Sequence, residues 1–142
     1  MKRFFCILTL TILSMVSTAT AQDNKLYQHL QDVSVTVKSG FGEGSGVIVT
    51  REVEVAPNVK QKVNFVWTAA HVVDGLRSVR VEIKNGKPQT VIEFKDAQIV
   101  KELVEDGRRV GEIKMEAKVI KYSDAENGED LALLMVRKKR SE

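Results

Sequence analysis

The candidate for acid–base chemistry in this sequence is His71. It lies in Thr-Ala-Ala-His-Val-Val at residues 68–73, directly after an alternating apolar segment, where small residues can hold an imidazole at the edge of a core. The other of the two histidines, His29, lies in a polar amino-terminal segment. An imidazole exchanges a proton near neutral pH, so His71 could act as a general base. Taken alone, a histidine in such a place is more often structural than catalytic.

Asp130 is the candidate acid that would accompany this histidine. It is the last polar residue before the most apolar run in the chain, residues 131–136. A carboxylate at the start of a buried strand is partly desolvated, which is costly unless it is hydrogen-bonded or paired. Two interpretations are open. Asp130 is either a turn residue that caps its own backbone or an acid that accepts a hydrogen bond from an imidazole and fixes its tautomer.

A third candidate is the glycine-rich segment at residues 40–47, Gly-Phe-Gly-Glu-Gly-Ser-Gly-Val. A dinucleotide or kinase G-x-G-x-x-G spacing would need glycine at position 45 or 47, where Ser45 and Val47 stand, and no Walker lysine follows. The segment therefore predicts a tight turn that needs positive φ or a close approach of the backbone.

Short strands joined by turns must position these residues. Apolar and polar residues alternate along several segments, which is typical of half-buried strands: residues 33–38, 63–67, 79–83 and 112–119. Residues 51–62 are polar and predict an exposed loop or the tip of a long hairpin. Asn85-Gly86 and Asp106-Gly107 predict hairpin turns. The pattern as a whole predicts an all-β barrel or sandwich.

Two of these segments carry more specific expectations. In the strand at 112–119 we expect one face to be buried, formed by Ile113, Met115, Ala117 and Val119. The last strand, residues 131–136, is apolar throughout, and we expect it to be fully buried. Residues 69–74 are the only place where we expect a helical turn.

Three blocks of the chain together resemble trypsin-like serine proteases, nearest to the bacterial Deg/HtrA-like branch: Gly-Ser-Gly-Val-Ile-Val at 44–49, Thr-Ala-Ala-His-Val-Val at 68–73 and Asp-Leu-Ala-Leu-Leu at 130–134. The resemblance extends from about residue 33 to residue 136. It implies a single antiparallel β-barrel corresponding to the first half of the two-barrel trypsin-like fold. It further implies that His71 is the general base and later the general acid, and that Asp130 orients His71. Residues 44–46 would form a barrel turn.

The family's nucleophile lies in a Gly-Asp/Asn-Ser-Gly-Gly motif of a second barrel, which we expect to be absent here. The 12 residues after Asp130 contain one serine, Ser141, and no glycine. Ser45 is a poor substitute, because a turn of the same barrel offers no oxyanion donors. We therefore expect a serine endopeptidase family member that acts on protein or peptide substrates when a second barrel completes it, and that is inactive alone. The alternative is a secreted non-enzymatic binding module built on half a protease fold.

The amino terminus has the pattern of a secretory signal peptide. Lys2 and Arg3 precede an apolar stretch that is shorter than the ~20 residues of a spanning helix, and Ala19-Thr20-Ala21 supplies the small residues of a cleavage site. We expect cleavage after Ala21 and a secreted or periplasmic product. The predicted organisation is a signal peptide at 1–21, a polar segment at 22–32, the barrel at 33–137 and a basic tail at 138–142, with no second barrel.

Composition argues against several other functions. The net charge of +3 falls to +1 once Lys2 and Arg3 are removed, so no nucleic-acid partner is expected. The single cysteine, Cys6, excludes an internal disulfide framework, and neither C-x-x-C nor H-x-x-x-H spacing occurs, so we expect no metal and no cofactor. We expect no membrane span after signal cleavage. A lone barrel would expose an apolar face around His71 and Asp130, which favours self-association.

Overall fold

The computed structural model describes residues 20–137. Most of the predicted signal peptide and the predicted basic tail at 138–142 lie outside the described residues. The chain divides between Asp32 and Val33 into two units. No helix within residues 20–137 is long and apolar enough to cross a membrane.

Helix α1, Thr20–Val33, belongs to the amino-terminal unit except for its last residue. The expectation that only residues 69–74 form a helical turn is therefore wrong. The segment lacks glycine and proline, and Gln, Lys, Leu and Ala favour the helix. Its polar character hides this propensity from a search for apolar periodicity, because Leu26, Tyr27 and Leu30 are exposed and bury no stripe.

The second unit is an antiparallel β-barrel with one extra two-stranded sheet. Its elements are β1 (Ser34–Lys38), β2 (Glu43–Ala56), β3 (Val59–Thr68), α2 (Ala70–Val73), a 3₁₀ turn (Asp74–Leu76), β4 (Arg77–Lys84), β5 (Lys87–Phe94), β6 (Ala97–Glu105), β7 (Arg108–Ser123) and β8 (Leu131–Val136). Six strands close in the order β1-β2-β3-β8-β7-β6, while β4 and β5 pair only with each other. The prediction of an all-β fold built on a single antiparallel barrel is confirmed.

Where the barrel strands surround the core, alternate residues point inward and form it. The fully buried inward side chains are mostly small or β-branched: Val37, Val66, Ala97, Ile99, Ala117, Ala132 and Leu134. A barrel of this size leaves an interior that side chains alone can fill. α2 and the 3₁₀ turn add Ala70, Val73 and Leu76 to the same core.

The glycine-rich segment lies differently from the prediction. The turn is made by residues 39–42, where Gly40 has a φ of +86° and the N–H of Ser39 donates to the carbonyl of Gly42 over 2.9 Å. Gly44 and Gly46 lie in β2, opposite Val37 and Val35 of β1, so the expectation of a barrel turn at 44–46 is wrong. The expected close approach is confirmed, because a Cβ on Gly46 would lie 2.8 Å from Val66 Cγ1.

Two burial expectations are also wrong. Leu131 of β8 is 39 % exposed, and Leu133 and Met135 are only half-buried, because a barrel strand has one inner face however apolar its sequence is. Ile113 of β7 is exposed, whereas Ala117 and Val119 are buried as expected. β7 is 16 residues long, and its first half pairs with the outer part of β6 away from the core.

The predicted hairpin turns are confirmed. Asn85 and Gly86 join β4 to β5 with φ values of 55° and 72°, and Asp106 and Gly107 join β6 to β7 with 49° and 74°. Two successive residues with positive φ are the mark of the type I′ turn that suits twisted strands. Residues 51–62 form the tip of the long β2–β3 hairpin. Of the two expectations for this segment, the hairpin tip is therefore the correct one.

The close packing at Gly46 gives a stability prediction. In Gly46→Ala the new Cβ meets Val66, Val37 and the Trp67 carbonyl at 2.8 to 3.0 Å, so we expect a loss of ~1–3 kcal/mol in the free energy of unfolding. The matched control is Gly111→Ala in β7, whose Cβ would have only Leu103 Cδ1 nearby, at 3.8 Å. Urea unfolding of both variants tests this, and equal midpoints would contradict it.

Candidate functional site

His71 is positioned by the short helix α2, which packs against the core of the barrel. Ala70 and Val73 of α2 are fully buried. These two residues are three apart and lie on the same side of the helix. His71 therefore faces outward, and its side chain is 64 % exposed.

Two contacts hold β2 against α2 and against the end of β3 that precedes it. Thr68, the last residue of β3, donates from its buried Oγ1 to the carbonyl of Ser45 over 2.8 Å. Val72 of α2 lies against Gly44, where an added Cβ would come within 3.0 Å of Val72 Cγ1. The glycine at position 44 thus makes room for the helix that carries His71. Sequence reasoning missed this link, because a glycine in a strand does not reveal which backbone or side chain approaches it.

Asp130 is the last residue of a tight loop, residues 124–130, that precedes β8. Asp124 Oδ1 accepts hydrogen bonds from the N–H groups of Glu126 and Asn127, at 3.0 and 2.7 Å. A Cβ on Gly128 would lie 2.8 Å from the Asp124 carbonyl oxygen, so the loop needs glycine there. Ser123 Oγ accepts from the N–H of Glu129 over 2.9 Å. The loop is therefore held by its own short polar side chains.

The backbone of Asp130 is in the left-handed region, with a φ of 50°. Aspartate and asparagine tolerate this region better than most residues. The conformation is held at both ends of the residue. Its N–H donates to the Asp124 carbonyl over 3.4 Å, and its carbonyl accepts from the N–H of Ala70 over 3.2 Å.

The structure brings His71 and Asp130 into direct contact. His71 Nδ1 lies 2.7 Å from Asp130 Oδ2, and the His71 N–H donates to Asp130 Oδ1 over 3.0 Å. Both carboxylate oxygens thus bind one residue that lies 59 positions away in the chain. An ionised carboxylate only accepts hydrogen bonds, so Nδ1 carries the proton and Nε2 keeps a lone pair.

The same contacts shift the pKa of Asp130. The backbone N–H of His71, followed by the His71 side chain, lowers the pKa of this carboxyl below its usual value. Asp130 is therefore ionised at neutral pH, and both of its oxygens accept hydrogen bonds from His71. The pair can accept a proton at Nε2 and hold the resulting imidazolium in a fixed orientation.

Among the candidate residues of the barrel, Ser45 does not join this pair. Ser45 lies in β2 opposite Thr36. Three other serines are bound locally: Ser39 Oγ donates to the Gly42 carbonyl, Ser78 Oγ donates to the Glu93 carbonyl, and Ser123 Oγ accepts from Glu129. His29 lies in α1, and Ser141 lies outside the described residues. Within residues 20–137, no group of three His, Cys, Asp or Glu side chains is placed to hold a metal ion.

Sequence reasoning also missed a supporting cluster around Tyr122, near the end of β7. The Tyr122 hydroxyl donates to Asp74 Oδ1, and burial together with this bond raises the pKa of Tyr122 to about 12. The guanidinium of Arg77 lies 5.5 Å from the centre of the Tyr122 ring, and the Phe94 ring centre lies 5.0 Å away. The cluster ties the turn after α2 to the strand that precedes the Asp130 loop.

The pairing predicts the tautomer of His71. In the wild-type protein we expect the neutral imidazole to carry its proton on Nδ1. Replacement of Asp130 by alanine removes the acceptor, so Asp130→Ala should shift the ring to the Nε2–H form, which two-bond ¹H–¹⁵N NMR correlations distinguish. Asp96→Ala, which removes an ion pair with Arg137, is the control and should leave the tautomer unchanged.

The lowered pKa of Asp130 predicts how pH affects stability. A carboxyl whose pKa is depressed by folding stabilises the folded state above its unfolded pKa, ~3.9, and this stabilisation is lost as pH falls through the folded pKa. Wild type should therefore unfold at a higher urea concentration than Asp130→Asn at pH 7. The difference should close at pH 2, and a difference that persists unchanged there would contradict the role of the charge.

Comparison of the chain with protein-family models, with curated proteins and with solved structures gives no match. The functional interpretation therefore depends on the sequence motifs and on the geometry of His71 and Asp130.

Proposed function

We propose that this barrel is the His/Asp half of a trypsin-like serine endopeptidase. One observation carries the proposal: an outward-facing imidazole whose Nδ1 is bound by a carboxylate, 2.7 Å away, at the end of a closed six-stranded barrel. The second contact, from the His71 N–H to the same carboxylate, restricts the orientation of both groups. A histidine kept only for packing has no need of such a partner.

The proposed roles follow from the two ring nitrogens. Nε2 of His71 accepts the proton of a serine hydroxyl as that oxygen attacks the peptide carbonyl. It then donates the proton to the leaving amine. Asp130 keeps Nδ1 protonated and stabilises the imidazolium between these two steps. The serine and the backbone N–H groups of an oxyanion hole would come from a second barrel.

An apolar outer face of the barrel supports the need for a covering partner. Val47, Trp67 and Leu133 are opposite one another on β2, β3 and β8, with Val49, Phe65 and Met135 in the next row. These side chains alternate with buried residues and therefore point outward. Val47 and Trp67 are exposed, and Leu131 next to Asp130 is exposed as well. Contiguous exposed apolar surface of this kind marks an interaction site.

The same face supports the second candidate function, a secreted binding module without catalytic activity. In that case the apolar rows around Trp67 contact another protein or a second copy, and the His71–Asp130 bond only holds α2 to the loop. For both candidate functions we propose a location outside the cytoplasm. This proposal is based only on the signal-peptide pattern at residues 1–21.

A fluorophosphonate probe separates the two candidates. The purified chain alone should show no labelling, because the proposed nucleophile belongs to another barrel. When the chain is co-expressed with a Gly-x-Ser-Gly-Gly segment encoded beyond codon 142, in frame or after a frameshift, that serine should be labelled. His71→Ala should slow labelling by about 10⁴-fold or more, since the triad acts as a unit.

The control for this experiment is Asp96→Ala, whose ion pair with Arg137 lies outside the His71–Asp130 pair. Stoichiometric labelling of the chain alone would show that the isolated barrel is not inactive. Equal labelling rates for wild type and His71→Ala would exclude the proposed role of the histidine. A gene that contains no such coding segment would favour the binding module.

A further inference from the structure

The ribbon formed by β4 and β5 stands apart from the barrel sheet. Within the described residues it pairs with no third strand. Its exposed apolar side chains include Val79, Val81, Ile83 and Ile92, and exposure reaches 67 % at Val81 and 80 % at Ile83. Val79 lies opposite Ile92, so these side chains share one face of the ribbon. A two-stranded ribbon with an exposed apolar face is marginally stable unless something pairs with it or covers it.

The backbone pattern shows which edge of the ribbon is open. The N–H of Lys95 donates to the Leu76 carbonyl over 3.0 Å at the base. Hydrogen-bonded and non-hydrogen-bonded pairs alternate along an antiparallel ladder. The backbone groups of Val79, Val81 and Ile83 therefore point away from β5, toward the outer edge of β4. On β5 the corresponding edge includes Pro88, which has no N–H and blocks pairing there.

The charge pattern of β4 matches that of a second β4 in one register. When two copies run antiparallel about a two-fold axis at Val81, Arg80 of each copy lies opposite Glu82 of the other. In the same register Val79 lies opposite Ile83, and Val81 lies opposite Val81. If the axis moves to Arg80, the two guanidinium groups face each other, which is unfavourable.

The ion pairs of the ribbon agree with this arrangement. Arg80 Nη2 lies 2.9 Å from Glu82 and 2.9 Å from Glu93 of β5. Arg80 would therefore have Glu93, diagonally across its own ribbon, on one side and Glu82 of the second copy on the other. Within one copy Glu82 already pairs with Arg80, and it faces the neutral Gln89 across the ribbon, so the proposed pairing would add Arg80 of the other copy as a further partner.

We propose that two copies of this chain associate through β4, which pairs with itself to form one four-stranded antiparallel sheet. The pairing is isologous, since each copy contributes the same residues to both halves of the interface. It supplies partners for the outward N–H and C=O groups of Val79, Val81 and Ile83. The interface is separate from the apolar rows around Trp67, so the proposal does not depend on the proposed catalytic function.

Charge reversal tests the register. Sedimentation velocity of the purified protein over a concentration series should show a dimer for wild type. Glu82→Arg places a cation at both positions 80 and 82, and Arg80→Glu places an anion at both, so like charges would face each other and each variant alone should dimerise about tenfold or more weakly. An equimolar mixture of the two variants should restore the dimer, because the charges then complement each other. Restoration also shows that both variants are folded.

Glu126→Arg, in the loop before β8, makes the same charge change away from the ribbon and should leave the dimer intact. A wild-type protein that stays monomeric throughout the series would overturn the proposal. A dimer that persists in both charge variants would overturn it too and would point to the barrel face. Two monomeric variants that do not associate on mixing would exclude the proposed register.

A cysteine at the two-fold axis provides a second measurement. With Cys6→Ser as background, Val81→Cys places two thiols on directly opposed residues, whose Cα atoms are ~5.5 Å apart in a hydrogen-bonded pair. This separation permits a disulfide, so oxidation should give a covalent dimer. Thr90→Cys is the matched control, because the two copies of Thr90 would be three strand spacings apart, ~14 Å. Equal cross-linking of both variants would contradict the arrangement.

Discussion

The pairing of β3 with β8 is the constraint on which the candidate site depends. These strands are far apart in the sequence, and their ladder runs from Phe65 opposite Met135 to Thr68 opposite Ala132. Beyond the last pair of this ladder, the hydrogen bond from the Ala70 N–H to the Asp130 carbonyl joins the segments that flank the two strands. Closure of the barrel therefore sets the distance between two backbone segments before either side chain is placed. A shift of one residue in this register would turn every side chain of β8 to the other face.

Each segment then adds its own local restraint. On the β3 side, buried Ala70 and Val73 hold α2 against the barrel and leave His71 outside. On the β8 side, Asp124 and Ser123 hold the loop through hydrogen bonds to its N–H groups. The two sides meet again at Tyr122, whose hydroxyl binds Asp74 just after α2. The orientation of the imidazole and the carboxylate is thus set by contacts on both sides of the pair, and proton transfer by the proposed mechanism would require such fixed geometry.

The sequence predicted those features whose causes are local. Alternation of apolar residues, together with Asn85-Gly86 and Asp106-Gly107, correctly indicates strands and hairpins, because side-chain period and positive φ are properties of short segments. His71 and Asp130 could be singled out from their neighbours, since His71 follows the end of one strand and Asp130 precedes the start of another. Their contact could be inferred only through a resemblance, because it depends on barrel closure.

The errors share a physical origin in tertiary structure. We expect Leu131 to be buried because its strand is apolar throughout, yet a barrel strand has only one inner face. Ile113 is on the predicted face of β7, but it lies in the half of the strand that extends away from the core. The sequence predicts a turn at Gly44 and Gly46, but both lie in β2. Glycine is needed there because Val72, Val66 and Val37 come too close for a Cβ. Helix α1 contains no apolar stripe of the kind that periodicity detects.

The left-handed backbone of Asp130 has a consequence of its own. At this position conformation and charge constrain the choice of residue together, so asparagine is the replacement that separates them: it accepts the same φ and carries no charge. Glutamate keeps the charge but adopts the left-handed conformation less readily. Aspartate at position 130 therefore meets two separate requirements, a positive φ and a negative charge.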